Sequence, residues 1–267
     1  MKKYLIFVAL LISIIAFSQT MNIHKTNGVV DNYPLSDIDS ITFTLPETEL
    51  TVTDIDGNVY QTVKIGDQWW MAENLKVTRY CDGTPIPNVT DNTDWLNLVN
   101  DSTGAYCEYD NNSVYVVTYG RLYNWYAINE NCGIAPAGWH VPTDSELKQL
   151  EMYLGMSQSE ADFELWRGSD QGCQLAGNAN LWNDGPLEDD VAFGSSGFMA
   201  IPGGFRNYND NGNYNGLGDY AFFWSATEAT EYTSFHAWAR SLYYYYPSVL
   251  RDDYGKGYGF SVRCVKD

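Results

Sequence analysis

The segment GWHVPTDSEL, residues 138–147, limits the fold most strongly. Pro142 keeps the residues before it extended. Thr143 and Glu146 then have the spacing of a capping box, in which each side chain accepts a hydrogen bond from the other residue's backbone N–H. Leu147, Leu150 and Leu154 recur at helical spacing, and Gly155 ends the run. A second box, Ser157 with Glu160, opens another short helix carrying Phe163, Leu165 and Trp166. Most of the remaining chain reads as strand and loop. Val59, Gln61, Val63 and Ile65 alternate up to Gly66-Asp67, a type II′ hairpin turn that leads into Trp69, Trp70 and Met71. Residues 119–129 fit a short helix or a strand, and 80–120 and 168–218 are Asn-, Asp- and Gly-rich loops. Residues 220–228, 234–250 and 256–267 are strand-like runs. The expected class is α+β, loop-rich, with two short central helices and small antiparallel sheets.

Organisation follows from the first residues. Lys2 and Lys3, the apolar run Leu5 to Phe17 and the small-residue site Ala16-Phe17-Ser18 read as a signal peptide over 1–18. Residues 19–45 form a short strand-rich segment turning at Asn27-Gly28, 46–50 a linker, and 51–267 the main domain. The apolar run falls short of the roughly 20 residues of a bilayer span, and no later stretch reaches that length. The first cysteine, Cys81, is too far along to carry a lipoprotein anchor. A secreted, periplasmic or cell-surface location is expected, with no membrane span after cleavage.

The net charge of −19 would repel a phosphate backbone, which excludes nucleic acid as a partner. Aromatics at 15% and charged residues at only 18% give a surface suited to a glycan or another surface protein. Cys81, Cys107, Cys132, Cys173 and Cys264 form no C-x-x-C and no zinc spacing. In an exported chain they predict one or two disulfides and a leftover thiol, with the pairing open.

Little else carries chemistry. His140 lies in an extended segment with only Asp144 as a nearby acid, and it reads as a framework residue; His236 reads the same way, and His24 as an exposed strand residue. Gly194-Ser195-Ser196-Gly197 is one residue short of a nucleophile elbow and reads as a turn. Residues 207–212 echo the start of a calcium loop, but Gly218 stands where the bidentate Glu belongs. No metal and no cofactor are expected.

Five colinear stretches (59–75, 119–129, 135–147, 201–228 and 259–267) resemble the Fibrobacter succinogenes major paralogous domain over residues 51–267. That family resembles the formylglycine-generating-enzyme and C-type-lectin-like superfold, with Val141-Pro142-Thr143 at the strand-to-helix junction and the segment 259–264 on the closing strand. The resemblance implies that Cys132 pairs with Cys264, since the strand before the first helix lies beside the closing strand. It implies no formylglycine-generating activity, because residues 219–263 lack the cysteine pair that binds copper. Trp182-Asn183-Asp184 matches a lectin calcium motif only by chance, being far from the closing strand and without the upstream carboxylate-Pro-Asn element. The expected function is a non-catalytic binding or interaction module for a glycan or peptide, not an enzyme. The alternatives are a structural envelope protein, and an enzyme using His140, Glu146 or His236 as acid/base groups. The candidate ligand residues are Tyr208, Tyr214, Asn207, Asn209 and Asn211, on a stretch too poor in aliphatics to build a core, with Tyr220 and the run from Tyr243 to Tyr246 as further flat faces.

Overall fold

A computed structural model describes residues 20–24, 30–34, 51–130, 132–229 and 234–267. The signal-peptide reading, the turn at Asn27-Gly28 and the linker at 46–50 lie outside the described residues. The chain divides into two units, Met1–Thr48 and Glu49–Asp267. In the first, β1 (Thr20–His24) pairs antiparallel with β2 (Val30–Pro34), Thr20 opposite Pro34 and His24 opposite Val30.

The second unit is mixed α+β, rich in sheet, with a few short helices. It begins with the hairpins β3 (Val52–Thr53) with β4 (Val59–Tyr60) and β5 (Thr62–Ile65) with β6 (Gln68–Met71). Gly66 takes φ 61° while Asp67 stays out of the left-handed region, as a type II′ turn requires. Next come α1 (Asn92–Asn97), β7 (Tyr106–Cys107), α2 (Val116–Tyr119), β8 (Leu122–Tyr123), α3 (Trp125–Ile128) and β9 (Trp139–His140). Residues 119–129 thus hold both a strand and a helix. Helices α4 (Asp144–Tyr153) and α5 (Gln158–Asp162) both carry complete capping boxes, on Thr143/Glu146 and Ser157/Glu160. The second is shorter than its sequence pattern. Phe163 already leaves the helix, and β10 (Leu165–Arg167) pairs with a later strand, with Leu165 at φ 67°. After α6 (Gln171–Leu175) come β11 (Gly203–Asn207), β12 (Asn213–Leu217), β13 (Tyr220–Glu228), β14 (His236–Tyr243), β15 (Tyr246–Gly255) and β16 (Val265–Lys266).

The largest sheet has the order β10-β15-β14-β13-β11-β12, and a four-stranded sheet has the order β5-β6-β16-β9. Alternation along β13 and β14 gives the large sheet two covered faces. Phe223, Leu242 and Val249 pack with Leu147 and Leu150 of α4, while Phe222, Trp224, Ala237 and Ala239 pack with Tyr123, Trp125 and Phe260. The closing strand β16 inserts between β6 and β9, with Val265 opposite both Trp70 and His140.

Beneath α4 lies an ion network. Glu151 receives Arg240 Nε at 2.7 Å and Arg167 Nη2 at 2.5 Å; Asp144 receives Arg240 Nη1 at 2.8 Å and Arg251 at 2.9 and 3.0 Å. Burial would raise the Asp144 pKa, but the Arg251 and Arg240 guanidiniums reverse this and hold it below the ordinary carboxylate value.

The expected Cys132–Cys264 disulfide is not formed. Cys132 bonds to Cys81, with Cα atoms 5.4 Å apart, and Cys264 is a fully buried thiol. The strand adjacency behind the expectation holds, since β9 and β16 pair, but Cys132 sits in the loop before β9, which is tied to the 80s loop by Cys81 N donating to Gly133 O at 3.0 Å. Cys264 packs instead in the core with Trp139 and Val262. Burial raises the other thiols, Cys107 to about 11 and Cys173 to about 12, so they stay protonated at neutral pH.

Candidate functional site

At the end of the large sheet, where β14 begins and β15 finishes, a cavity of about 620 Å³ opens between the β11–β12 turn and the segment after β15. His236 is opposite Gly255 and two residues from Trp238, which faces Asp253, so the His236 and Asp253 side chains fall on one face. His236 Nδ1 is in a short hydrogen bond with Asp253 Oδ2. Asp253 Oδ1 and His236 Nε2 carry no hydrogen bond among the described residues.

Aromatic rings make up much of the rest of the wall. Tyr126 comes from α3, Tyr208 from the β11–β12 turn, and Tyr254 and Tyr258 from the end of β15 and the residues after it. Tyr254 and Tyr258 meet edge to face at 5.6 Å, and burial raises the hydroxyl pKa of both. Asn209 Nδ2 donates to the Tyr258 hydroxyl at 3.0 Å. Gly257 makes room for the Tyr208 ring: a Cβ there would stand 2.6 Å from that ring and 2.8 Å from Val99. Lys256 lines the cavity too, but its ammonium donates to Glu228 at 2.9 Å and to Ser234 O at 2.7 Å and sits 4.3 Å from the Trp125 ring centre. Its charge is already compensated.

The structure separates the residues that the sequence grouped. Tyr208 and Asn209 line the cavity, together with His236. Asn207 shapes the turn, its side chain accepting from the backbone N–H of Asn209 at 3.0 Å and of Asp210 at 3.2 Å. Asn211 occupies the left-handed position of that turn, φ 49°. Tyr214 packs away from the cavity, its hydroxyl on Asn111 at 2.7 Å and its ring against Tyr109 and Arg206. Tyr220 stacks on Tyr243 at 4.4 Å, and Tyr243 to Tyr246 gather at the β14–β15 hairpin, the far end of β14 from His236. Asp253, Tyr126, Tyr254, Lys256 and Tyr258 escaped the sequence reading. Gly255 and Gly257, alternating with Lys256 and Tyr258, are the only local sign that chain segments approach closely there.

His140 has both ring nitrogens occupied, Nδ1 with Asp267 at 2.7 Å and Nε2 with Glu146 at 2.8 Å. Partial burial lowers its pKa, but the two carboxylates outweigh this and raise it. Glu146 is itself tied to Thr143 in the capping box. This cluster joins β9, α4 and the residue after β16, and leaves no ring nitrogen for a substrate. Trp182 is buried with Nε1 donating to Gly177 O at 3.1 Å, and Asn183 Nδ2 donates to Asp219 at 2.7 Å, so this triplet braces loops. Among the described residues no group of three or more His, Cys, Asp and Glu side chains is placed to hold a metal ion, and no helix is long and apolar enough to cross a membrane.

A family model described as the Fibrobacter succinogenes major domain matches residues 63–266, from β5 into β16. Comparison with curated proteins and with solved structures gives no match.

Proposed function

The chain belongs to the Fibrobacter succinogenes major domain family, and from that premise we propose that it is a secreted or cell-surface recognition module that binds a glycan or a peptide without chemistry, in the cavity at the end of β14 and β15. The observation that carries this reading is the wall itself: tyrosine faces beside Asn209 and Asp253, whose Oδ1 atoms have no partner among the described residues. A C-type-lectin-like arrangement is part of the proposal, supported by the closing strand that pairs beside the entry to the capped helix. Export is supported by the apolar leader and by the Cys81–Cys132 bridge. Binding should change little with salt, because few ion pairs would form. A binding screen on glycan and peptide arrays tests the reading: a ligand lost on Asn209→Ala supports it, and one that Asn209→Ala and Asp253→Asn both leave unaffected places recognition elsewhere.

The His236–Asp253 pair favours a second reading, an enzyme in which Asp253 orients His236 as a general base. The cavity wall contains no Ser, Thr or Cys among the described residues, so in this reading His236 would act on a water rather than on a hydroxyl or thiol of the wall's own Ser, Thr or Cys. Turnover of a bound ligand that stops on His236→Gln would establish this reading over simple binding. Formylglycine generation is not proposed, because the thiols at Cys107, Cys173 and Cys264 are isolated and buried.

A further inference from the structure

We propose that the occupant of the cavity is a neutral saccharide, seated with the C–H face of one sugar ring on the tyrosine wall and neighbouring hydroxyls on Asn209 and Asp253. This rests on the reading of the cavity as the ligand seat and narrows its chemistry. Three features of the wall carry it.

The first is the pairing of flat faces with polar tips. Tyr126, Tyr208 and Tyr258 are each half-buried, so their rings are fixed by packing but still reachable. A pyranose has the same two-sided character, with C–H groups on its faces and hydroxyls around its rim, and amphipathic aromatic rings match both. Gly257, by leaving space for the Tyr208 ring, builds this wall into the backbone.

The second is the hydrogen-bond inventory. The Asn209 amide nitrogen is held by Tyr258, which leaves its Oδ1 as an acceptor, and the Asp253 bond to His236 leaves carboxylate Oδ1 as a second. His236 Nε2 and the Asn100 amide add groups of either sense on the same wall. Adjacent sugar hydroxyls each donate and accept, so they can use both kinds of group together.

The third is charge. Lys256 is committed to Glu228 and Ser234 and His236 to Asp253, so among the described residues the wall presents no uncommitted basic group. A carboxylated, sulfated or phosphorylated glycan would meet the Asp253 carboxylate on a chain of net charge −19. Such ligands are disfavoured both at contact and at long range. The ligand class is therefore neutral.

The test uses the full chain and calorimetric titration with neutral gluco-, manno-, galacto- and xylo-oligosaccharides, with polygalacturonate, heparin and a proline-rich peptide alongside. The expected result is binding of at least one neutral oligosaccharide and neither polyanion, weakened at least about tenfold by Asn209→Ala and by Asp253→Asn, as for loss of a ligand hydrogen bond. Tyr245→Ala, at the far hairpin, should leave binding unchanged, and all three variants should keep the parent melting curve. Binding only of the peptide or a polyanion, sensitive to both cavity variants, overturns the saccharide assignment and leaves the cavity as the seat. Neutral-saccharide binding that ignores both variants overturns the cavity itself. Absence of any binding across the neutral panel at millimolar concentration overturns the proposal outright.

Discussion

Replacing Glu151 by Ala should be among the most damaging single changes to this fold. The side chain is 1% exposed and receives Arg240 and Arg167, whose side chains are 4% and 2% exposed. The buried set of Asp144, Glu151, Arg167, Arg240 and Arg251 holds two carboxylates against three guanidiniums, so loss of Glu151 strips Arg167 of its carboxylate and leaves Arg240 and Arg251 on Asp144. Breaking a buried pair from one side costs about 3–5 kcal/mol, mainly because the remaining charge is stranded away from water. For a unit of this size, that cost lowers the melting temperature by roughly 6–20 °C, at about 2–4 °C per kcal/mol. Denaturant titration followed by tryptophan fluorescence gives the free-energy change directly, because Trp70 and Trp224 are buried in separate core clusters and both become exposed on global unfolding. A loss under about 1 kcal/mol with an unchanged denaturant slope would refute the reasoning, since it would mean that water already solvates these arginines. Asp144 supplies the matching pH dependence. Its folded pKa lies below its unfolded one, so its contribution is present above the unfolded value near 3.8 and is lost as pH falls through the folded value. The parent protein should lose stability on acidification below about pH 4.

The other predictions concern separate parts of the molecule. His140 has a folded pKa above 6.5, so its contribution is fully present below that pH and disappears as pH rises through the folded value; His140→Gln should therefore lower the melting temperature at pH 5.5 more than at pH 8.5. The effect will be small because the side chain is half-exposed and screened. Reduction of the Cys81–Cys132 bridge, which closes a separation of 51 residues, should cost about 2–4 kcal/mol, and non-reducing peptide mapping should find those two cysteines joined. Recovery of a Cys132–Cys264 peptide would contradict the assignment. Gly257→Ala should displace the Tyr208 ring, cost about 1–3 kcal/mol by overpacking and abolish ligand binding in a titration; a variant that binds as the parent does would show that the ring does not form the wall.

What was legible in the sequence was local. The two capping boxes, the Gly66-Asp67 turn and the strand from Tyr220 to Glu228 depend on residues a few positions apart, and the structure has each of them. The run 234–250, read as one strand, is instead one hairpin arm and the start of the next, β14 and β15 meeting at Tyr243 and Tyr246 with β15 continuing to Gly255, and 256–267 holds a single short strand, β16. The second helix was read too long because Phe163, Leu165 and Trp166 continue its apolar content, whereas pairing of β10 with β15 fixes their conformation. The disulfide expectation failed for a related reason: strand adjacency constrains backbones, but not a cysteine in the loop before the strand. Of the candidate ligand residues, Tyr208 and Tyr214 look alike in sequence, six positions apart on one hairpin. Only the packing of the first on Gly257 and of the second on Arg206 separates them. Tyr126 reaches the same wall from a helix some eighty residues upstream of Tyr208, a meeting that no local pattern encodes.

The most direct test of the recognition site is ring-labelled tyrosine NMR during titration with a neutral oligosaccharide. The account predicts that the resonances of Tyr126, Tyr208 and Tyr258 shift together and saturably, while those of Tyr214, Tyr220 and Tyr243 to Tyr246 stay in place. Saturable shifts confined to the second group would contradict it and move recognition to the opposite end of the sheet.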